Sequence, residues 1–83
     1  MKEIAYSKSS LKVLRRMPAI ETRRIVAKIE QYAKAPASLA NNVKRLTGSP
    51  YIRLRVGDWR VIMDDKGNVL DVLKIGPRGS IYE

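Results

Sequence analysis

The spacing of apolar residues changes from a helical period to an alternating one along this chain. Ile25, Ile29 and Tyr32 recur at i, i+4 and i+7 with Val26 and Ala33 beside them, which predicts an amphipathic helix of about four turns ending near Lys34. Its other face, Arg23, Arg24, Lys28 and Glu30, is predicted to be solvated. Upstream, Leu11, Leu14 and Met17 predict the buried stripe of a first helix over residues 8–17, with Ser7 as its N-cap. Pro18 stops that helix and can open the next, where its missing N–H costs nothing. Residues 2–6 alternate weakly and predict a short strand. Residues 35–48, with Pro36 and paired Asn41 and Asn42, predict a loop. Residues 51–56, 59–64 and 69–75 are rich in β-branched and aromatic side chains and predict three strands. The order predicts an α+β domain spanning residues 1–83: an N-terminal strand, then a two-helix hairpin packed on an antiparallel sheet that three C-terminal strands complete.

Gly57 and Asp58 separate two of these strands, and glycine at the first central position suits a two-residue type II′ turn, which fixes the register. Val56 then faces Trp59, Arg55 faces Arg60, Leu54 faces Val61, Arg53 faces Ile62 and Ile52 faces Met63. Alternation puts Ile52, Leu54, Val56, Trp59, Val61 and Met63 on one apolar face and gathers Arg53, Arg55 and Arg60 on the other. Trp59 is therefore predicted to be a core residue. Like charges directly opposed across a hairpin are unfavourable, so Arg55 against Arg60 is a local conflict. Such conflicts tend to mark sites. One resolution is a solvated face whose arginines pair with nearby carboxylates, but only Asp58 lies within the hairpin, and it sits in the turn. The other is a phosphate, whose oxygens the guanidinium fork matches.

Composition narrows the chemistry. With no Cys and no His among its 83 residues, the chain has neither a Ser-His-Asp nor a Cys-His nucleophile arrangement and no ordinary zinc site. Its fold must rest on packing alone, which suits a reducing compartment such as the cytoplasm. No metal or cofactor is called for. Seventeen basic and eight acidic residues leave a net charge of +9, which predicts a polyanionic partner. The excess is +6 over residues 2–34, +4 over 44–60 and −1 over 61–83. No apolar run approaches the ~18 residues of a membrane span, and no export signal follows the first residues.

The run Leu54-Arg55-Val56-Gly57-Asp58-Trp59-Arg60-Val61-Ile62, with Val72-Leu73-Lys74-Ile75-Gly76-Pro77-Arg78 and Ile81-Tyr82 after it, resembles the RelE/ParE toxin superfamily. Lys44-Arg45-Leu46-Thr47-Gly48 and the strand-helix-helix opening fit the same family. The resemblance covers nearly the whole chain and implies the RelE-like microbial ribonuclease fold. In the RelE-like branch it implies a toxin that enters the ribosomal A site and cuts mRNA, held inactive by an antitoxin from the same operon. It makes Arg53 a residue near the scissile phosphate, Arg55 and Arg60 phosphate-binding arginines, Arg78 the arginine after the last strand and Tyr82 the terminal aromatic. By pattern alone Tyr82 could equally be a frayed end. Members that cut RNA commonly use a histidine near the terminus or two strand lysines. Here Pro77 precedes Arg78, and Ile52 and Arg53 occupy the lysine-like positions. Arginine is a poor general base, and Lys44 is a weak candidate. The ParE-like branch, which poisons DNA gyrase without cutting RNA, shares the scaffold.

Three functions follow: a metal-independent ribonuclease that uses the RNA 2′-hydroxyl as nucleophile, a non-catalytic gyrase inhibitor, and a basic module that only binds RNA or ribosomes. For the first, Arg53, Arg55, Arg60, Arg78 and Tyr82 are the candidate catalytic residues. Lys44, Arg45, Lys12, Arg15 and Arg24 are the candidate RNA and phosphate contacts. The expected partners are the ribosome, mRNA and a cognate antitoxin whose acidic segment folds on binding to give a hetero-oligomer, with no membrane involved.

Overall fold

A computed structural model describes residues 1–81 of the chain. The elements run β1 (Glu3–Tyr6), α1 (Lys8–Arg16), α2 (Ala19–Lys34), a 3₁₀ segment (Pro36–Asn42), β2 (Val43–Arg45), β3 (Ile52–Val56), β4 (Trp59–Asp65) and β5 (Val69–Pro77). The strands form one five-stranded sheet in the order β1-β5-β4-β3-β2. The strand, helical hairpin and C-terminal strands are those expected from sequence. Two features differ. β1 lies parallel to β5, Glu3 against Val69 through Tyr6 against Val72, so the sheet is mixed; the long helical crossover between these strands permits a parallel pair. A fifth strand, β2, also emerges from the segment expected to be a loop and pairs antiparallel with β3.

Local chemistry accounts for the helices. Ser7 caps α1 by accepting from the Ser10 N–H at 3.1 Å, and its own N–H reaches Val72 O at 2.9 Å, joining the cap to the sheet. The buried face of α1 is Ser10, Leu14 and Met17, while Leu11, expected in the stripe, is 36% exposed. Ser10 can be fully buried because its hydroxyl lies 3.3 Å from Val72 O and 2.8 Å from Ser7 Oγ. Between the helices, Thr22 Oγ1 donates to Leu14 O at 2.7 Å. On α2, Ile25, Ile29, Tyr32 and Ala33 face inward as their spacing predicts.

The main core lies between the helices and one sheet face, where Ile52, Leu54, Val56, Val61, Met63, Leu70, Val72 and Ile75 meet Leu14, Ile25 and Ile29. Trp59 packs against it, half-buried. A bulge between β4 and β5, where Ile62 faces Lys74 but Met63 faces Val72, leaves Leu73 as the extra residue. It moves Val72 and Ile75 onto the same face despite their odd spacing. Ile62 has the arginines' parity, and a second small cluster covers it on the outer face: Leu46, Ile81 and, partly buried, Leu73. Gly76 belongs to this arrangement, since a Cβ there would come 2.7 Å from Ile81 Cγ1. The chain after β5 thus folds back over the outer face. Among the described residues no helix is long and apolar enough to cross a membrane.

Candidate functional site

The hairpin pairs in the register its turn dictates, Ile52 with Met63, Arg53 with Ile62, Leu54 with Val61, Arg55 with Arg60 and Val56 with Trp59. Gly57 has φ 58°, so the turn needs glycine for its conformation, and the mobile end of the Arg24 side chain lies over it. The helices cover the core face, which leaves Arg53, Arg55 and Arg60 on the outer face. Lys44, opposite Arg53 on β2, joins them. Together with Asn41, Asn42 and Val43 these four cations line a cleft of about 250 Å³. Among the described residues no carboxylate lines it.

The four cations are held differently. Arg60 is half-buried and curls back on its own turn, Nη1 donating to Gly57 O at 2.9 Å and to Trp59 O at 3.0 Å. This relieves the conflict with Arg55 by using part of the Arg60 guanidinium to hold the turn; its other N–H groups remain available. Arg55 is exposed, and among the described residues no carboxylate pairs with it. Arg53 is half-buried, and with Lys44 it also lines a neighbouring cleft of about 220 Å³ that includes Arg45, Leu46 and Thr47.

The other candidates are more dispersed. Arg45 sits opposite Ile52, on the helix-facing parity, and its charge acts on the Tyr32 phenol. Arg78 is exposed beside the hairpin turn, where its backbone N–H donates to Asp58 O at 2.7 Å. Lys12 and Arg15 project from α1 in the helix layer. Arg24 lies over Gly57 and 3.8 Å from Glu21. Tyr82 lies outside the described residues. Asn41 and Asn42, expected as loop residues, are cleft residues that no pattern singled out.

At the opposite end of the sheet the charges are paired. Asp65 accepts from the Tyr32 hydroxyl and the Gly67 N–H, both at 3.0 Å, with Lys2 Nζ at 3.5 Å. Burial acts to raise its carboxyl, but these hydrogen bonds and the Lys2 charge outweigh burial and hold it below the usual carboxylate range. Tyr32 is pushed up to about 12 by burial, then by its bond to Asp65 and that carboxylate's charge, with Arg45 pulling the other way. Lys66 meets Asp71 at 2.8 Å.

Among the described residues, then, a basic cleft lies on the outer face of a mixed sheet backed by a helical hairpin. Residues 4–82 match the family model of the ParE toxin of the type II toxin-antitoxin system, parDE, and the chain belongs to that toxin family within the RelE/ParE superfamily. Among solved structures it is similar to the archaeal RelE–RelB complex of Pyrococcus horikoshii OT3, with 28% identity over 96% of this chain and 98% of that one and a TM-score of 0.78. It is also similar to the RelB–RelE antitoxin–toxin complex of Methanococcus jannaschii, with 25% identity, 95% of each chain covered and a TM-score of 0.74. The intact E. coli RelBE complex shares the fold at 21% identity, covering 93% of this chain and 96% of that one with a TM-score of 0.70. No curated protein matches the sequence.

Proposed function

We propose that this toxin is a ribosome-dependent mRNA endonuclease that cuts in the A site by metal-independent attack of the 2′-hydroxyl on the adjacent phosphate. The observation that carries the reading is the cleft that gathers four cations, Arg53, Arg55, Arg60 and Lys44, on one face. In the reaction the 2′-oxygen bonds to phosphorus and the bond to the 5′-oxygen breaks. The proton of the 2′-hydroxyl leaves to a base, and the leaving oxygen takes one up. Arg53 and Arg55 neutralise charge on the equatorial oxygens, and Arg60, fixed to its turn, supplies a preorganised donor. Lys44 is the candidate for proton transfer within the cleft, Arg78 adds charge at the same end, and Tyr82 stacks on a base. Lys12, Arg15 and Arg24 dock the helix layer on ribosomal RNA, and Arg45 adds to the phosphate contacts of the neighbouring cleft. A cognate antitoxin carrying an acidic segment covers the protein in the cytoplasm as a hetero-oligomer, as RelB accompanies RelE in the similar complexes. The test is to add purified protein to ribosome-programmed mRNA and map cuts by primer extension. Cuts confined to the A-site codon are expected; intact mRNA overturns the reading.

One observation favours a second reading, inhibition of DNA gyrase. The matching family model is that of the ParE toxin. A supercoiling assay separates the two, because only the second reading expects gyrase to stall while mRNA stays whole.

A further inference from the structure

The remaining wall of the arginine cleft consists of amides. Asn41 and Asn42 end the 3₁₀ segment and line the cleft with Arg53, Arg55, Arg60 and Lys44. Consecutive asparagines often have a local reason, either left-handed backbone or a side chain that caps nearby backbone groups. The first does not apply, and the second does only weakly, at Asn42. Among the described residues no position other than glycine has positive φ. The Asn41 carboxamide makes no hydrogen bond to described residues, and that of Asn42 makes one long contact, Nδ2 to Arg55 O at 3.5 Å. The segment is nevertheless fixed on both sides, by Leu39 buried in the main core and by Val43 paired with Leu54. Two carboxamides are thus held at a cation-walled cleft with most of their hydrogen-bonding capacity unused by the described residues.

We infer that Asn41 and Asn42 read the base of the nucleotide whose phosphate the arginines hold, and that adenine is the base they favour. The inference rests on the nucleic-acid reading given above. Guanidinium and ammonium groups only donate, and phosphate oxygens compete for them. A carboxamide presents a donor and an acceptor side by side, the pairing that suits N6 and N7 of adenine. In single-stranded RNA a splayed base exposes such an edge. A volume of about 250 Å³, just below the range of roughly 300–1,000 Å³ for small-ligand pockets, is on the scale of a single nucleotide.

The test uses fluorescein-labelled hexa-adenylate and hexa-uridylate with the intact protein, read by anisotropy, beside cut mapping on ribosome-bound mRNA. The parent should prefer adenylate by roughly 5- to 100-fold, the range of one good bidentate base contact. Asn41→Ala and Asn42→Ala should bring that ratio towards one while leaving uridylate affinity within about threefold. Thermal melts confirm folding, and Asn41 is exposed, so its truncation disturbs no packing. A parent without adenine preference, variants that keep it, or variants that lose affinity for both oligonucleotides alike would each overturn the inference. Its failure can be told from that of the nuclease reading: Asn-dependent adenine binding without cuts removes the nuclease and keeps the base reader, whereas A-site cuts with a bias that ignores both asparagines do the reverse.

Discussion

Where β4 turns into β5, Asp65 collects Tyr32, Lys2 and the Gly67 N–H, and Lys66 meets Asp71. At the other end, where β3 turns into β4, Arg55, Arg60 and Arg78 surround the turn. Arg60 contacts backbone carbonyls there, and no described carboxylate pairs with any of the three. Among the described residues the same sheet therefore pairs its charge internally at one end and leaves these arginines without a carboxylate at the other. Charge matched within the fold supports the fold. Charge left without a counterpart is available to an external anion, and it persists here although like charges opposed across a hairpin cost stability.

The largest effect is expected at the arginine end. Arg55→Ala should lower cleavage of ribosome-bound mRNA by ~10²- to 10³-fold, the typical cost of losing one charge-stabilising donor. Its melting temperature should stay level or rise as cross-strand repulsion disappears. An Arg55→Ala protein that still cuts at the parent rate would break the contrast. The acidic end should respond in the opposite sense: Asp65→Ala strands the Tyr32 hydroxyl and the Gly67 N–H and should cost about 1–3 kcal/mol in urea denaturation, with cleavage by the folded protein unchanged.

The pH dependence sharpens the same contrast. The Asp65 carboxyl is lowered in the folded state, so its stabilisation is present above the unfolded value of about 3.9 and is lost as pH falls through the folded value. Tyr32 is raised to about 12, so its contribution is complete below the ordinary tyrosine value and is lost as pH rises from there through about 12. Melts of the parent across both windows, compared with Asp65→Asn and Tyr32→Phe, should show each variant flattening its own limb. A parent stability curve that the two variants leave unchanged would remove the network from the account.

Arg60→Ala should be intermediate. Loss of its bonds to Gly57 O and Trp59 O should cost about 1 kcal/mol, together with a fall in cleavage. Arg55→Ala and Arg60→Ala, which the hairpin count treats as equivalent, should thus separate in a thermal melt.

What was legible in the sequence depended on whether a short-range rule fixed it. A two-residue turn set the hairpin register, so every pair from Val56–Trp59 to Ile52–Met63 was readable and the arginine face with it. The buried position of Ser10 was not readable, because besides Ser7 its hydroxyl depends on Val72 O, sixty-two residues away. Alternation identified β1 as a strand but carries no information on its direction. β2 is three residues long, two of them cationic, and too short for a period. The bulge at Leu73 breaks the alternation of β5, which hid the outer cluster of Leu46, Ile62 and Ile81. The turn bonds of Arg60 and the placement of Asn41 and Asn42 in the cleft are tertiary facts, and the two asparagines look like ordinary loop composition.

The central claim is that phosphates bind at the arginine end, and the salt dependence of RNA affinity tests it most directly. For a short single-stranded RNA, the slope of log affinity against log salt concentration reports the phosphates neutralised, at roughly 0.7 per contact. Arg55→Ala should make the slope shallower by about 0.7, and Lys12→Ala, on the helix layer, should leave it at the parent value. A slope that Arg55→Ala does not change while Lys12→Ala flattens it would place the phosphates on the helices and contradict the account.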